Sequence, residues 1–171
     1  MTFDLQPTLR GERVTVRPLS PDDWEAMFAT AANPMIWEQH PASNRYQEPV
    51  FREYFDDAIA SGSAFAFVEN STGNIIGSCR FHGFDADTSE IEIGRTFLGR
   101  DYWGGAYNRE IKQLMLEHAF RFVQTVVFWV GEDNHRSRRA MEKIGGILRA
   151  GVQYRQVSGD DPYVVYEINK G

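Results

Sequence analysis

The 171-residue chain carries 18 Lys and Arg against 24 Asp and Glu, a formal net charge of −6, with 42% hydrophobic and 25% charged residues. That balance fits one globular domain able to bury a real core, and the acidic excess argues against a nucleic-acid-binding surface, which needs dominant positive charge. A single cysteine, Cys79, excludes an internal disulfide and a cysteine-rich zinc site.

Met1-Thr2-Phe3-Asp4-Leu5 lacks the basic and apolar regions of a secretory leader, and no apolar run reaches bilayer length. The expectation is a cytoplasmic, single-domain protein over residues 1–171, without a membrane partner.

Glu12 to Arg17 alternates and predicts a first strand. Ser20-Pro21-Asp22-Asp23 is a helix start, and Trp24, Met27 and Phe28 share one face of the helix that follows. That helix must end before Asn33-Pro34, because proline disfavours helix in the residue ahead of it. Met35 to Gln47 has no period and reads as an irregular connection. Val50, Phe51, Tyr54, Phe55, Ala58 and Ile59 recur at helical spacing up to Gly62.

Ala64–Glu69 and Ile75–His82, separated by Asn70-Ser71-Thr72-Gly73-Asn74, predict an antiparallel hairpin. Asp85 to Ser89 is a solvated turn; it lacks the glycine and terminal glutamate of a calcium loop, and no metal is expected. A strand from Glu90 to Thr96 then runs through Phe97-Leu98-Gly99-Arg100-Asp101-Tyr102-Trp103-Gly104-Gly105 into a helix of about Ala106 to Phe122. Thr125 to Val130 is a continuous apolar run suited to a central strand, parallel to its neighbour through the crossover helix. Asp133 or Asn134 caps another helix ending at Gly145, and two strands follow, about Ile147–Val157 and Tyr163–Ile168. The order β, α, α, β, β, β, α, β, α, β, β is that of an α+β protein with a mixed sheet, not a doubly wound nucleotide fold.

The strand–turn–helix around Gly104 and Gly105 is the chemically interesting stretch. Helix N-termini carry unpaired N–H groups and partial positive charge, and glycines let an anion approach that backbone. The residues alone leave open an anion cradle or a mere tight turn. Cys79, inside a strand, reads as a buried, inert thiol. Asn134 reads equally as a plain helix cap, and Glu92, with Glu90 on the same strand face, as a solvent-facing acid.

Three motifs in order resemble the GNAT superfamily of acetyl-coenzyme A-dependent N-acetyltransferases, most closely the branch that acetylates ribosomal-protein N-termini. They are Leu9-Arg10-Gly11-Glu12-Arg13-Val14-Thr15-Val16-Arg17-Pro18-Leu19; Glu92-Ile93-Gly94 followed by Tyr102 to Glu110; and Asn134-His135-Arg136-Ser137 with Glu142-Lys143-Ile144-Gly145. The resemblance spans essentially the whole chain. It implies a mostly antiparallel central sheet of about seven strands, flanked by about four helices, with a parallel pair at the coenzyme cleft.

It further implies that the backbone of Trp103, Gly104, Gly105, Ala106, Tyr107 and Asn108 holds the coenzyme A diphosphate. Asp101 stands where many members have Gln or Arg, with Arg100 one place earlier as a substitute charge. Phe97 and Leu98 match the backbone contacts of the pantetheine arm, and Asn134 matches the asparagine that orients the thioester end. Ser137 matches a position able to protonate the departing thiolate, the more so because Met141 replaces the tyrosine many members use. Arg136, Arg138 or Arg139 can meet the 3′-phosphate, Arg136 being the first choice. Glu92 is the best-placed base for the acceptor amine, unless water relays the proton.

The reading is acetyl transfer from acetyl-coenzyme A to a primary amine, a protein or peptide N-terminus or a small amine, by a monomer or homodimer. The alternative is a coenzyme A-binding module without turnover. The acceptor would meet the Met35–Tyr46 connection, the first two helices and the last two strands, and the acidic balance favours a cationic amine or basic peptide.

Overall fold

The computed structural model describes residues 2–171; Met1, the first residue of the expected domain, lies outside them. One nine-stranded sheet is formed by β1 (Leu9–Arg10), β2 (Val14–Pro18), β3 (Ala64–Glu69), β4 (Ile75–Asp85), β5 (Glu90–Leu98), β6 (Thr125–Gly131), β7 (Ile147–Leu148), β8 (Gln153–Gln156) and β9 (Asp160–Asn169). The order is β1-β2-β3-β4-β5-β6-β9-β7, with β8 also on β9. Every pairing is antiparallel except β5 with β6, so the mixed α+β architecture and the parallel pair are as expected.

The helices are α1 (Trp24–Ala31), α2 (Pro34–Trp37), α3 (Glu48–Ser61), α4 (Ala106–Ala119) and α5 (His135–Lys143). Ser20 and Asp23 form the reciprocal capping box: the Ser20 side chain accepts from the Asp22 backbone, and the Ser20 N–H donates to Asp23 at 2.8 Å. Asn33-Pro34 ends one helix and also starts another. The Asn33 side chain accepts the Met35 N–H at 3.0 Å and Pro34 sits at the first helical position, so one turn, α2, forms inside the expected irregular connection.

Helix α4 stops at Ala119, a turn short of Phe122. The expected strand Ile147–Val157 is broken into β7 and β8 around Gly151, whose φ of +91° bends the chain away from β9. Among the described residues no helix is long and apolar enough to cross a membrane.

Side chains alternate across the strands and feed two cores. Phe65 and Phe67 of β3 join Ile111 and Met115 of α4 and Met141 of α5 on one face. Ala66 joins Met27, Trp37, Phe51 and Phe55 from α1–α3 on the other. Burying aromatic side chains of this size contributes about 1.5–3 kcal/mol each, which anchors the helices that shape the cleft described next.

Candidate active site

Strands β5 and β6 pair only at Glu90–Thr125, Ile91–Val126 and Glu92–Val127. Beyond Glu92 they splay, and the gap between them opens into a cleft of about 1080 Å³. At one end lie Trp103, Gly104, Gly105 and the α5 residues Ser137, Arg139 and Met141; at the other lie Trp37, His40, Arg45, Tyr54, Arg95 and Tyr163. A parallel pair that opens into a V is a ready-made site, because its backbone edges lose their ladder partners there.

At the first end the chain leaves β5 through a single 3₁₀ turn, Arg100–Tyr102, and reverses over Gly104 and Gly105. Their φ angles are +114° and +115°, a conformation that side chains other than glycine adopt only under strain. Helix α4 begins at Ala106 with no side-chain cap, so its first N–H groups face the cleft end unpartnered. This is the geometry of an anion cradle, and it fits a diphosphate.

The charge beside it comes from Arg100 and Arg136, whose guanidinium carbons lie 4.3 and 3.7 Å from the Trp103 ring centroid. Burial, followed by repulsion from Arg100, lowers the Arg136 pKa below its ordinary value. Tyr107 is turned away: its hydroxyl donates to Glu69 at 2.5 Å, where Tyr102 also donates. Its backbone, not its ring, belongs to the cradle.

Several of the residues that the motifs assign to the coenzyme have partners within the protein. The Trp103 indole N–H donates to the Leu98 carbonyl at 2.8 Å, so that oxygen already accepts one hydrogen bond and keeps a second lone pair. The Phe97 side chain is buried against Trp37 at 5.3 Å. Arg136 donates to the Ile36 carbonyl at 3.0 Å, which ties α5 to α2. Arg138 is occupied by the Tyr166 hydroxyl at 3.1 Å and the Glu132 carbonyl at 2.9 Å. Exposed Arg139 faces the cleft with neither an ion pair nor a hydrogen bond among the described residues.

Asn134, 4% exposed, lies where β6 hands over to α5. Its side-chain oxygen accepts the Ser137 N–H at 3.3 Å, so it is indeed a cap. Its amide nitrogen donates to no described residue. Ser137, with an equally unengaged hydroxyl, and Met141 both line the cleft along α5. The structure thus brings Gly104, Gly105, Asn134 and Ser137 to one cleft.

The two β5 acids have a different fate. Glu92 is 4% exposed, and both its carboxylate oxygens are gripped by Arg155 of β8. Glu90 is held by Arg149 at 2.5 Å, which also bonds Glu167 at 3.0 Å. Arg155 further stacks on Trp129, 4.0 Å from its ring centroid. No sequence signal links Arg149 and Arg155 to residues some sixty positions away; the pairing exists only because β9 carries the β7–β8 segment beside β6.

Of the segments expected to meet the acceptor, the 38–47 connection, α3 and the β8–β9 hairpin line the far part of the cleft, whereas α1 contributes no lining residue. Pro41 is packed so closely on Gly131 that a Cβ there would lie 2.8 Å from its ring, which fixes the connection over the end of β6. The Nδ1 of His40 accepts the Ala42 N–H at 2.8 Å, leaving Nε2 as a donor; burial, then nearby arginine charge, pushes its pKa down to about 3. His40 is therefore a neutral hydrogen-bond donor and not a base.

Lys112 lies in the cleft wall beside Thr96 at 3.5 Å, its pKa lowered by burial. Cys79 is buried and its thiol is pushed up to about 12 by burial, so it is no nucleophile.

The known proteins that this chain resembles are acetyltransferases. Residues 13–147 match the family model described as an acetyltransferase (GNAT) domain. An uncharacterised N-acetyltransferase, p20, of Bacillus licheniformis is 26% identical over 118 residues; the match spans 66% of this chain and 66% of that protein, just under two thirds of its length. A GCN5-related N-acetyltransferase from Brucella melitensis superposes with a TM-score of 0.83 at 18% identity, over 96% of this chain and 79% of that one. An acetyltransferase from Agrobacterium tumefaciens gives 0.72 at 26% identity, over 99% and 98%. A structure assigned as a ribosomal-protein-serine acetyltransferase from Vibrio cholerae gives 0.76 at 13%, over 99% and 100%, a likeness of fold alone.

Proposed function

Because the chain belongs to the GNAT acetyltransferase family, we propose that it moves acetyl from acetyl-coenzyme A to a primary amine by direct attack within a ternary complex. The observation that carries this is the joining of two features in one cleft: the double-glycine cradle at the head of α4 and the unengaged Asn134 amide nitrogen and Ser137 hydroxyl at the head of α5.

In this reading the cradle N–H groups and Arg100 hold the diphosphate, while Arg139, with Arg136 on Trp103, serves the 3′-phosphate. The backbone at Phe97 and Leu98 guides the pantetheine arm. The Asn134 amide nitrogen donates to an amide or thioester carbonyl at the bend between β6 and α5. Ser137 hydrogen-bonds the sulfur as the thiolate leaves, because Met141 has no proton to give. The rate gain comes chiefly from positioning amine and thioester together and polarising the carbonyl.

Proton removal from the amine falls to cleft water. Glu92, the acid closest to the role in sequence, serves by fixing Arg155 at the cleft rim. No acyl-enzyme forms, since the Cys79 thiol is buried and protonated. The acceptor is a primary amine, a protein or peptide N-terminus or a small amine. The proposal is completed by a cytoplasmic setting and a monomeric or homodimeric state.

The test is release of free coenzyme A thiol from acetyl-coenzyme A with a panel of amines, read by a thiol reagent. Saturable, amine-dependent release supports transfer. Coenzyme A binding without thiol release for any amine favours the binding module instead.

A further inference from the structure

We propose that the acceptor carries an oxyanion, a carboxylate or phosphate, which Arg45 and Arg95 receive in the far half of the cleft. This rests on the transferase reading and names the chemistry of the substrate it would use. It reverses what the net charge of −6 implies, because the cleft is locally cationic.

Arg95 sits at the register shift between β4 and β5, with φ +50°. That left-handed backbone is costly for a non-glycine residue, and bulges of this kind re-aim a side chain. Tyr54 of α3 fixes the bulge, its hydroxyl donating to the Arg95 carbonyl at 2.6 Å. The same Tyr54 ring carries Arg45 at 4.9 Å, from the connection, and Arg80 at 5.4 Å, from β4. The Trp37 ring centroid also lies 5.4 Å from the Arg45 guanidinium. Two arginine guanidinium groups and the backbone of a third arginine, from three separate elements, thus meet one buried tyrosine.

The acids present do not answer them. Asp57 pairs with Arg80 at 3.2 Å, and even so the Nε of Arg80, a residue 4% exposed, has no partner. Glu92 is taken by Arg155. Glu53 is exposed on the cleft wall and pairs with none of the arginines, and His40 offers only a neutral N–H. Among the described residues neither Arg45 nor Arg95 has a side-chain hydrogen bond or an ion pair. Burial, and then repulsion from neighbouring arginines, lowers the pKa of both. Two partly buried forks with five donors each, held open and unpaired, match the bidentate geometry of carboxylate and phosphate.

The experiment has a binding arm and a turnover arm. With coenzyme A saturating the donor end, succinate and inorganic phosphate are titrated into wild-type protein and into Arg45→Gln and Arg95→Gln variants shown folded by circular dichroism. The expected result is saturable binding of at least one anion, weakened about tenfold or more by either substitution, with coenzyme A affinity unchanged within about twofold.

In the turnover arm, α-, β- and γ-amino acids are compared with their amides, and 2-aminoethyl phosphate with ethanolamine. The anionic member of a pair should be acetylated at least tenfold faster, and the better pair identifies carboxylate or phosphate. No anion binding, binding indifferent to both substitutions, or faster acetylation of the uncharged members overturns the proposal while leaving transfer intact. Anion binding that depends on both arginines, without thiol release from any amine, supports the anion site and overturns the transferase reading.

Discussion

Arg155 of β8 closes its guanidinium on both carboxylate oxygens of Glu92 in β5, one of the bonds being 2.9 Å. The pair spans from the hairpin at the sheet edge to the strand that opens the cleft, and the Glu92 side chain is only 5% exposed. Its expected behaviour under mutation distinguishes a structural clamp from a base.

Arg155→Ala leaves a buried carboxylate unpaired and should destabilise the fold by about 3 kcal/mol, measured by urea unfolding. Glu92→Gln keeps the shape and should retain turnover within about tenfold, with the pH–rate profile unmoved. Complete loss of turnover in a folded Glu92→Gln protein that still binds coenzyme A would make Glu92 the base.

Arg138 and Arg139 are adjacent in sequence and opposite in consequence. Arg138→Ala removes hydrogen bonds to Tyr166 and Glu132 and should cost about 1–3 kcal/mol of stability with little change in ligand preference. Arg139→Ala should leave stability alone and reduce the preference for coenzyme A over 3′-dephospho-coenzyme A about tenfold, read by calorimetric titration.

Gly105→Ala adds a Cβ at φ +115° and 3.7 Å from Arg109, where space is available but the backbone conformation is not. The expected outcome is a loss of about 1–2 kcal/mol of stability together with coenzyme A affinity lowered at least tenfold. Unchanged affinity would remove the cradle from the site.

Cys79 should resist thiol reagents at pH 8 in the native protein and react fully in guanidinium chloride, since its thiol lies at about 12. Mass spectrometry after incubation with acetyl-coenzyme A alone should show no added acetyl group on Cys79.

His40 supplies a pH dependence of folding. Its folded pKa of about 3 lies below the unfolded value near 6.5, so the unfolded chain binds the extra proton first as pH falls. Stability contributed by keeping His40 neutral is full above pH 6.5 and declines toward pH 3. His40→Asn preserves an acceptor for the Ala42 N–H and should show a shallower loss between pH 6.5 and 4, measured as the difference in unfolding free energy from wild type.

The helices and strands were legible because each carries its own period and punctuation. Ser20-Pro21-Asp22-Asp23, the Asn70–Asn74 turn and the glycine pair at 104–105 all act within a few residues, and local backbone chemistry decides them. The misses were also local in cause: Asn33-Pro34 stops one helix and starts the next, and Gly151 divides an expected strand into β7 and β8.

The donor end of the cleft was legible for the same reason, since the cradle and the Asn134 cap are each built within one turn of chain. The acceptor end was not. Arg45, Arg80, Arg95 and Tyr54 are spread over fifty residues, and Arg155 meets Glu92 across sixty-three positions. Their neighbours are set by sheet order and by one backbone bulge, which no residue type announces. The glycine pair and the uncapped head of α4 can be read from the chain, because dihedral preference and helix ends are properties of short segments. Which charges are paired and which stand open emerges with folding, because pairing depends on distances that folding alone creates.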